Sequence, residues 1–98
     1  MHRRFEIEVA VRLLAPRLPQ HELGAVTDHA MDSAGLRKAA PETAAWLSLV
    51  AYARHVFTDY DELLSQGYDY DSARFFVAQE LEAMLDEWGV ARRLSGDD

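Results

Sequence analysis

The sequence predicts an all-α fold, a compact bundle of four to five helices joined by short loops. Three observations carry this expectation. Apolar residues recur at helical spacing along most of the chain, prolines and glycines cut it into helix-sized pieces, and nothing in it offers a lone strand a partner. The 98 residues are expected to form a single domain, with about residues 3–90 as the ordered core and 91–98 as a frayed tail. A chain of this size buries roughly 60–70% of the surface it exposes when unfolded. With 49% apolar residues it has the material for one core without staples, and a globular rather than a disordered chain is expected.

The first piece, Arg3 to Ala15, carries two apolar rows, Phe5, Val9 and Leu13, and Ile7, Val11 and Leu14. Each row has helical spacing, although the alternation of the two also reads as a strand. Without a second strand the helix is preferred, and Pro16 ends it. A second helix is expected from Pro19 to about Ala34. Pro19 is preset for its first turn, Leu23, Val26, Ala30 and Met31 form its stripe, and Gly35 supplies a left-handed stop. The third begins at Pro41 and runs through Trp46, Leu47, Leu49, Val50, Tyr52, Val56 and Phe57 with little polar relief. A helix apolar on nearly all sides is a central one.

After Phe57 the pattern leaves two readings open. Thr58 and Asp61 resemble a capping box that starts a short helix, or the third helix continues with a bend; Gly67 stops the chain's helical run in either case. The last helix opens at Asp69 or Asp71 and ends near Gly89. Its apolar face is Ala73, Val77, Leu81, Met84, Leu85 and Trp88, opposite Gln79, Glu82, Asp86 and Glu87.

Charge and composition narrow the function classes. Residues 1–40 carry net +1 and residues 41–98 net −8, which makes the total −7. Nucleic-acid affinity comes mostly from cationic contacts with phosphate, so the acidic half argues against such a partner and leaves only Arg3, Arg4, Arg12 and Arg17 as a window. The chain has no cysteine, which removes disulfides, thiolate zinc sites and a cysteine nucleophile. No apolar run approaches the roughly 20 residues that cross a bilayer. Glu6 and Glu8 interrupt the stretch after the basic Met1–Arg4 start, so no secretory signal is expected and a cytoplasmic location is.

The polar residues that carry chemistry gather around one stretch. On a continuous helix Arg54, Thr58 and Asp61 share a face that His55 can reach, and Tyr60 and Arg74 lie nearby in sequence. In the functional reading His55 carries a proton or binds a ligand, Asp61 orients it, and Arg54 or Arg74 holds an anion. In the bland reading Thr58 and Asp61 cap a helix, Arg74 clamps Asp61 or Asp71, Tyr60 buries its ring, and His55 bonds a backbone carbonyl. The bland reading is the weightier one, because catalysis needs more convergent groups and a cleft.

Metal readings are weaker. The carboxylates Asp59, Asp61, Glu62, Asp69 and Asp71 suit a hard cation, but a calcium loop started at Asp69 puts Ala73 and Arg74 where a ligand and glycine are required. His21 and His29 are eight residues apart, about 80° around a helix, with no further zinc ligands evident. No metal and no cofactor are expected.

The stretch Arg54-His55-Val56-Phe57-Thr58-Asp59-Tyr60-Asp61-Glu62-Leu63-Leu64 resembles the signature of domain-of-unknown-function family 2293, found in bacteria and fungi. The Ala73-Arg74 pair, the closing Trp88, and Pro16-Arg17-Leu18-Pro19 ahead of a helix with His29-Ala30 fit the same family. The similarity spans about residues 12–90. One departure is visible: the family has a Gly-Arg step after the second helix, where this chain has Leu36-Arg37-Lys38-Ala39. A bacterial source is expected, and the resemblance implies no activity.

The aromatics Trp46, Tyr52, Phe57, Phe75, Phe76 and Trp88 are expected to be core, although a bundle of this size buries only some of them. Tyr68, Tyr70, Phe75 and Phe76 cluster beside the last turn and are candidates for an exposed apolar patch, the mark of a partner surface. The leading expectation is therefore a non-enzymatic protein-interaction module. It would act as a homodimer through the last helix or as a seat for another protein's helix. The alternative is a small-ligand or enzymatic site around His55, Thr58, Asp61 and Arg74.

Overall fold

The computed structural model describes residues 2–95. In chain order the elements are α1 (Arg3–Leu14), α2 (Gln20–Asp32), a single 3-10 turn (Ala34–Leu36), α3 (Pro41–Phe57), α4 (Tyr60–Ser65) and α5 (Tyr70–Glu87). These five helices form the all-α bundle that the sequence predicts, with no strand among the described residues.

Helix α3 is the centre. Pro41 occupies its first turn, where the missing N–H costs nothing. Ala44, Ala45, Trp46, Ser48, Leu49, Val50, Ala53 and Arg54 are all buried, a set that runs round most of the helix circumference. Helices α1 and α2 pack on α3 and on each other, and α5 closes another side. The main core joins Ile7, Val11, Leu18, Val26, Trp46, Leu49, Leu81, Leu85 and Trp88. Two polar groups inside it are satisfied locally. The Thr27 hydroxyl donates to the Leu23 carbonyl at 2.8 Å, and Ser48 Oγ lies 3.0 Å from His29 Nδ1.

Only one of α1's two rows enters this core. Ile7, Ala10 and Val11 are buried, whereas Phe5, Val9 and Leu13 are 57%, 41% and 77% exposed. In α2, Leu23, Val26 and Ala30 are buried as expected, but Met31 is exposed and Thr27 takes the inward position. Two boundaries also move. Pro19 stands at the N-cap rather than inside the helix, and α2 ends at Asp32 with extended Ser33 as its cap. Gly35 lies in the 3-10 turn without a positive φ, so it is no left-handed stop: the chain leaves α2 through Ser33 instead.

The stops at Gly67 and Gly89 form as expected, with φ of 100° and 85°. In each, two backbone N–H groups close the helix end: Tyr68 onto Leu63 and Gly67 onto Leu64, Val90 onto Leu85 and Gly89 onto Asp86. The second stop is buttressed from the α1–α2 loop. Arg17 donates through Nε and a terminal nitrogen to the carbonyls of Glu87 and Asp86, and its backbone N–H reaches the Trp88 carbonyl at 2.9 Å. A Cβ at Gly89 would come within 3.2 Å of Arg17 and Pro16.

The bundle is elongated, 43 × 28 × 23 Å, and the reason lies in α5. Its second half contributes Leu81, Leu85 and Trp88 to the main core. Its first half instead pairs with α4 over a small second core of Tyr60, Ala73 and Val77, flanked by Leu63 and Leu64. Among the described residues, the small core of that short hairpin gathers side chains from α4 and α5 alone. Phe75 and Phe76 are consequently 77% and 56% exposed, against the expectation that they are core, while Trp46 and Trp88 are buried and Tyr52 and Phe57 half-buried. Residues 91–95 follow α5 as non-helical chain, with the Arg92 guanidinium 4.3 Å from the Trp46 ring centroid and Arg93 near Asp86 and Glu82. Residues 96–98 of the expected frayed tail lie outside the described residues.

Leu49→Ala opens a cavity beside α3 and should cost about 2–5 kcal/mol, read as a fall in Tm of about 10 °C or more. Phe76→Ala, which removes no core contact, should change stability by about 0.5 kcal/mol or less. Thermal melts of both variants check this division between the two ends of the molecule.

Candidate functional site

The six candidate residues occupy the junction of α3, α4 and α5. Thr58 decides its geometry. Its backbone is extended, φ −134° and ψ 172°, so α3 ends there and α4 is a separate short helix. The Thr58 hydroxyl donates to the Arg54 carbonyl and accepts from the Tyr60 N–H at 3.2 Å, tying the last turn of α3 to the first of α4. The reciprocal capping box with Asp61 does not form. Asp59, not Thr58, stands at the α4 N-cap position, without a side-chain cap bond. Asp61 turns to His55 instead, its Oδ1 2.6 Å from His55 Nδ1.

The His55–Asp61 pair has the tautomer logic of a catalytic dyad. A carboxylate only accepts, so Nδ1 carries a proton in this contact. Its surroundings are those of a surface pair. The two side chains are 51% and 60% exposed, and contacts of this kind are worth about 0.2–1 kcal/mol. Thr58, the nearest aliphatic hydroxyl in sequence, spends its proton on the Arg54 carbonyl.

Tyr60 divides the cluster. It is only 3% exposed, with the His55 ring edge-on at 5.3 Å and the Arg54 guanidinium 5.6 Å from its centroid. Arg54 is itself buried, near the end of a helix that is otherwise buried mainly through apolar side chains. It faces a cavity of about 240 Å³ that Arg74, Asp71, Phe75, Ala78, Leu81, Leu94 and Ser95 complete. His55, Thr58, Tyr60 and Asp61 do not line that cavity. The cluster is thus a solvent-facing His55–Asp61 pair and an arginine-lined hollow, with the Tyr60 ring against both His55 and Arg54. Arg74 clamps neither Asp61 nor Asp71 in an ion pair among the described residues.

Sequence reasoning missed the contribution of Leu94 and Ser95, placed in a stretch read as a frayed end; the lone apolar Leu94 among polar neighbours was the available signal. It also missed Arg17, whose partners are backbone carbonyls and leave no trace in side-chain patterns.

The carboxylates are otherwise engaged or dispersed. Asp69, rather than Asp71, caps α5, accepting from the Ser72 N–H at 2.7 Å. That bond holds the Asp69 carboxyl below its usual range. Among the described residues no group of three or more His, Asp or Glu side chains is placed to hold a metal. His29 is turned to Ser48, and no described helix is long and apolar enough to cross a membrane.

Two measurements test the junction. Thr58→Ala should lower stability by about 0.5–2 kcal/mol, since it leaves the Tyr60 N–H without its partner. For Asp69 the folded carboxyl titrates below the unfolded one, so its stabilisation is complete above about pH 4 and is lost as pH falls through the folded value. The Tm difference between the wild type and Asp69→Ala should therefore be largest at neutral pH and shrink on acidification below about pH 4.

No curated relative and no solved structure shows a match to the chain. A family match does extend over residues 10–89, from the middle of α1 to the Gly89 stop, and so takes in the whole α3–α4–α5 junction. The chain belongs to the family described as uncharacterized conserved protein DUF2293.

Proposed function

We propose that this single helical domain is a non-enzymatic protein-interaction module that seats a basic, apolar-faced segment of another protein on the outer side of the α4–α5 hairpin. One observation carries the reading. Tyr68, Tyr70, Phe75 and Phe76 are each at least 43% exposed, and three of them, Tyr68, Phe75 and Phe76, are in ring contact. The Tyr68–Phe76 and Phe75–Phe76 ring pairs meet edge to face at 5.4 and 5.8 Å, which arranges them as one surface rather than as isolated rings. Exposed aromatics grouped in this way supply the anchors of protein interfaces.

Charge selects the occupant. Asp69 and Asp71 flank the rings in sequence, Glu80 lies one turn beyond Phe76, and Arg74 is the one cation among them. A basic segment complements that rim. A second copy of the chain would bring like rims together, on a protein of net −7. The His55–Asp61 pair supports chemistry less well, because both its side chains are more than half exposed to solvent.

The test is a titration of the whole chain with an amphipathic Leu/Lys peptide of roughly 18 residues, about five helical turns. Amide shifts read by NMR should concentrate on residues 68–80, and affinity should fall as salt rises. Phe75→Ala combined with Phe76→Ala should weaken binding by about tenfold or more, equivalent to about 1.4 kcal/mol. Shifts concentrated on Phe5, Val9 and Leu13, or unchanged affinity in the double variant, would refute the proposal. A homodimer in light scattering that Phe75→Glu disperses would replace the basic segment with a second copy of the chain.

A further inference from the structure

We infer that the outward face of α1 is a self-association surface, on which two copies of this chain pack α1 against α1 in an antiparallel, two-fold arrangement. This goes beyond the docking surface on the α4–α5 hairpin, with which it shares no residue.

The apolar part of the face is the α1 row that the core leaves out. Phe5, Val9 and Leu13 are 57%, 41% and 77% exposed. Their spacing of four residues sets them in one line along the helix. Hollows flank that line on both sides. Toward the start of α2 lies one of about 370 Å³, which Phe5, Val9, Leu13 and Leu23 help to line. Toward α3 lie two more, about 270 Å³ beside Phe5 and about 210 Å³ beside Leu13. A ridge of side chains between grooves is the relief with which one helix packs on another.

Charge selects a second copy and fixes its direction. At the Phe5 end both flanks are acidic, with Glu8 on the α2 side and Glu6 on the α3 side. At the Leu13 end both flanks are basic, with Arg12 on the α2 side and Arg92 on the α3 side. Glu42 lies between the two hollows on the α3 side, and Arg4 is turned to Asp28. A two-fold axis at Val9 sets Phe5 opposite Leu13 of the other copy and brings each flank to the same flank. Glu6 then meets Arg92, and Glu8 meets Arg12, each pair forming twice. A parallel pairing would instead put the acidic ends together and the basic ends together.

These charges are available for such pairs. Glu6, Arg12 and Arg92 have no ion-pair partner among the described residues, and Glu8 has one contact, to Arg4 at 3.6 Å. Arg12 donates through one terminal nitrogen to the carbonyls of Pro16 and Leu18, which holds its head at the rim of the α2-side hollow. The overall charge points to the same face. Two copies of net −7 repel each other, but the excess acid lies in residues 41–98, while residues 1–40 carry net +1. Size sets the strength. Helix α1 has 12 residues, about 18 Å of length, so the contact belongs to the small interfaces, below about 1,200 Å² in total, and the dimer to the micromolar range.

The experiment is sedimentation velocity of the full chain from about 5 μM to about 1 mM, which should show a monomer–dimer equilibrium with a Kd of about 10–300 μM. Val9→Glu places two carboxylates together at the axis and should weaken the dimer about tenfold or more, with its melt showing an intact fold. Glu6→Arg and Arg92→Glu, both at exposed positions, should each weaken it alone. Their equimolar mixture should associate about as tightly as the wild type, because it restores both complementary pairs, a recovery that a damaged fold does not give. Phe75→Glu should leave the dimer intact, and Val9→Glu should leave the Leu/Lys peptide's affinity unchanged, so this surface and the docking surface fail separately. A strict monomer at about 1 mM, a mixture no tighter than its components, a dimer indifferent to Val9→Glu, or one dispersed by Phe75→Glu would overturn the inference.

Discussion

The structure depends on α3 having almost no face to give to water. Its buried residues run from Ala44 to Arg54 and leave few positions for solvent. A helix of that kind is stable only when neighbours surround it. Helices α1, α2 and the second half of α5 are those neighbours, and the short loops between them reflect the need to return to the same central element. The first half of α5 extends past that shared core, so it must find its own partner, and the six-residue α4 is what it finds. The exposed aromatics and the arginine-lined hollow both arise in this region, where the main core stops and a thinner two-helix layer begins.

The junction is held by polar groups that a larger protein could replace with packing. Thr58 couples two helix ends through one hydroxyl, Asp69 starts α5, and Tyr60 fills the space between them. These roles account for much of the polar density between Arg54 and Arg74 without invoking chemistry. What they leave over is specific: a half-exposed histidine paired with a carboxylate, and two arginines that line a hollow with an apolar wall. The match to DUF2293 spans this whole junction, so membership by itself does not distinguish the residues that fold it from those that bind something.

Much of this architecture is legible in the sequence where the signal is local. Pro41 opens α3, Gly67 and Gly89 provide positive φ at helix ends, and the row from Ala73 to Trp88 faces inward because its spacing admits no other face. Local signals fail where two choices are equally spaced. Phe5, Val9 and Leu13 and the row beginning at Ile7 both suit a helix, and only the positions of α2 and α3 select Ile7. Gly35 fails for a related reason, since a glycine permits a left-handed stop without requiring one and the chain turns earlier, at Ser33. In the candidate site the spacing identifies the neighbours, but the partition made by Tyr60 depends on its burial, which no spacing rule reveals.

The Arg17 contact has a consequence for how the molecule meets acid. It fastens the loop after α1 to the far end of α5, joining segments about 70 residues apart in the chain. Its acceptors are main-chain carbonyls, and a guanidinium keeps its charge at any pH a protein tolerates. Neither side of this fastening can be switched off by protonation. As falling pH protonates Asp69, the cap that starts α5 loosens, while the closure made by Arg17 is untouched. Acid therefore acts on the start of α5, at the Asp69 cap, and leaves the fastening at its far end in place.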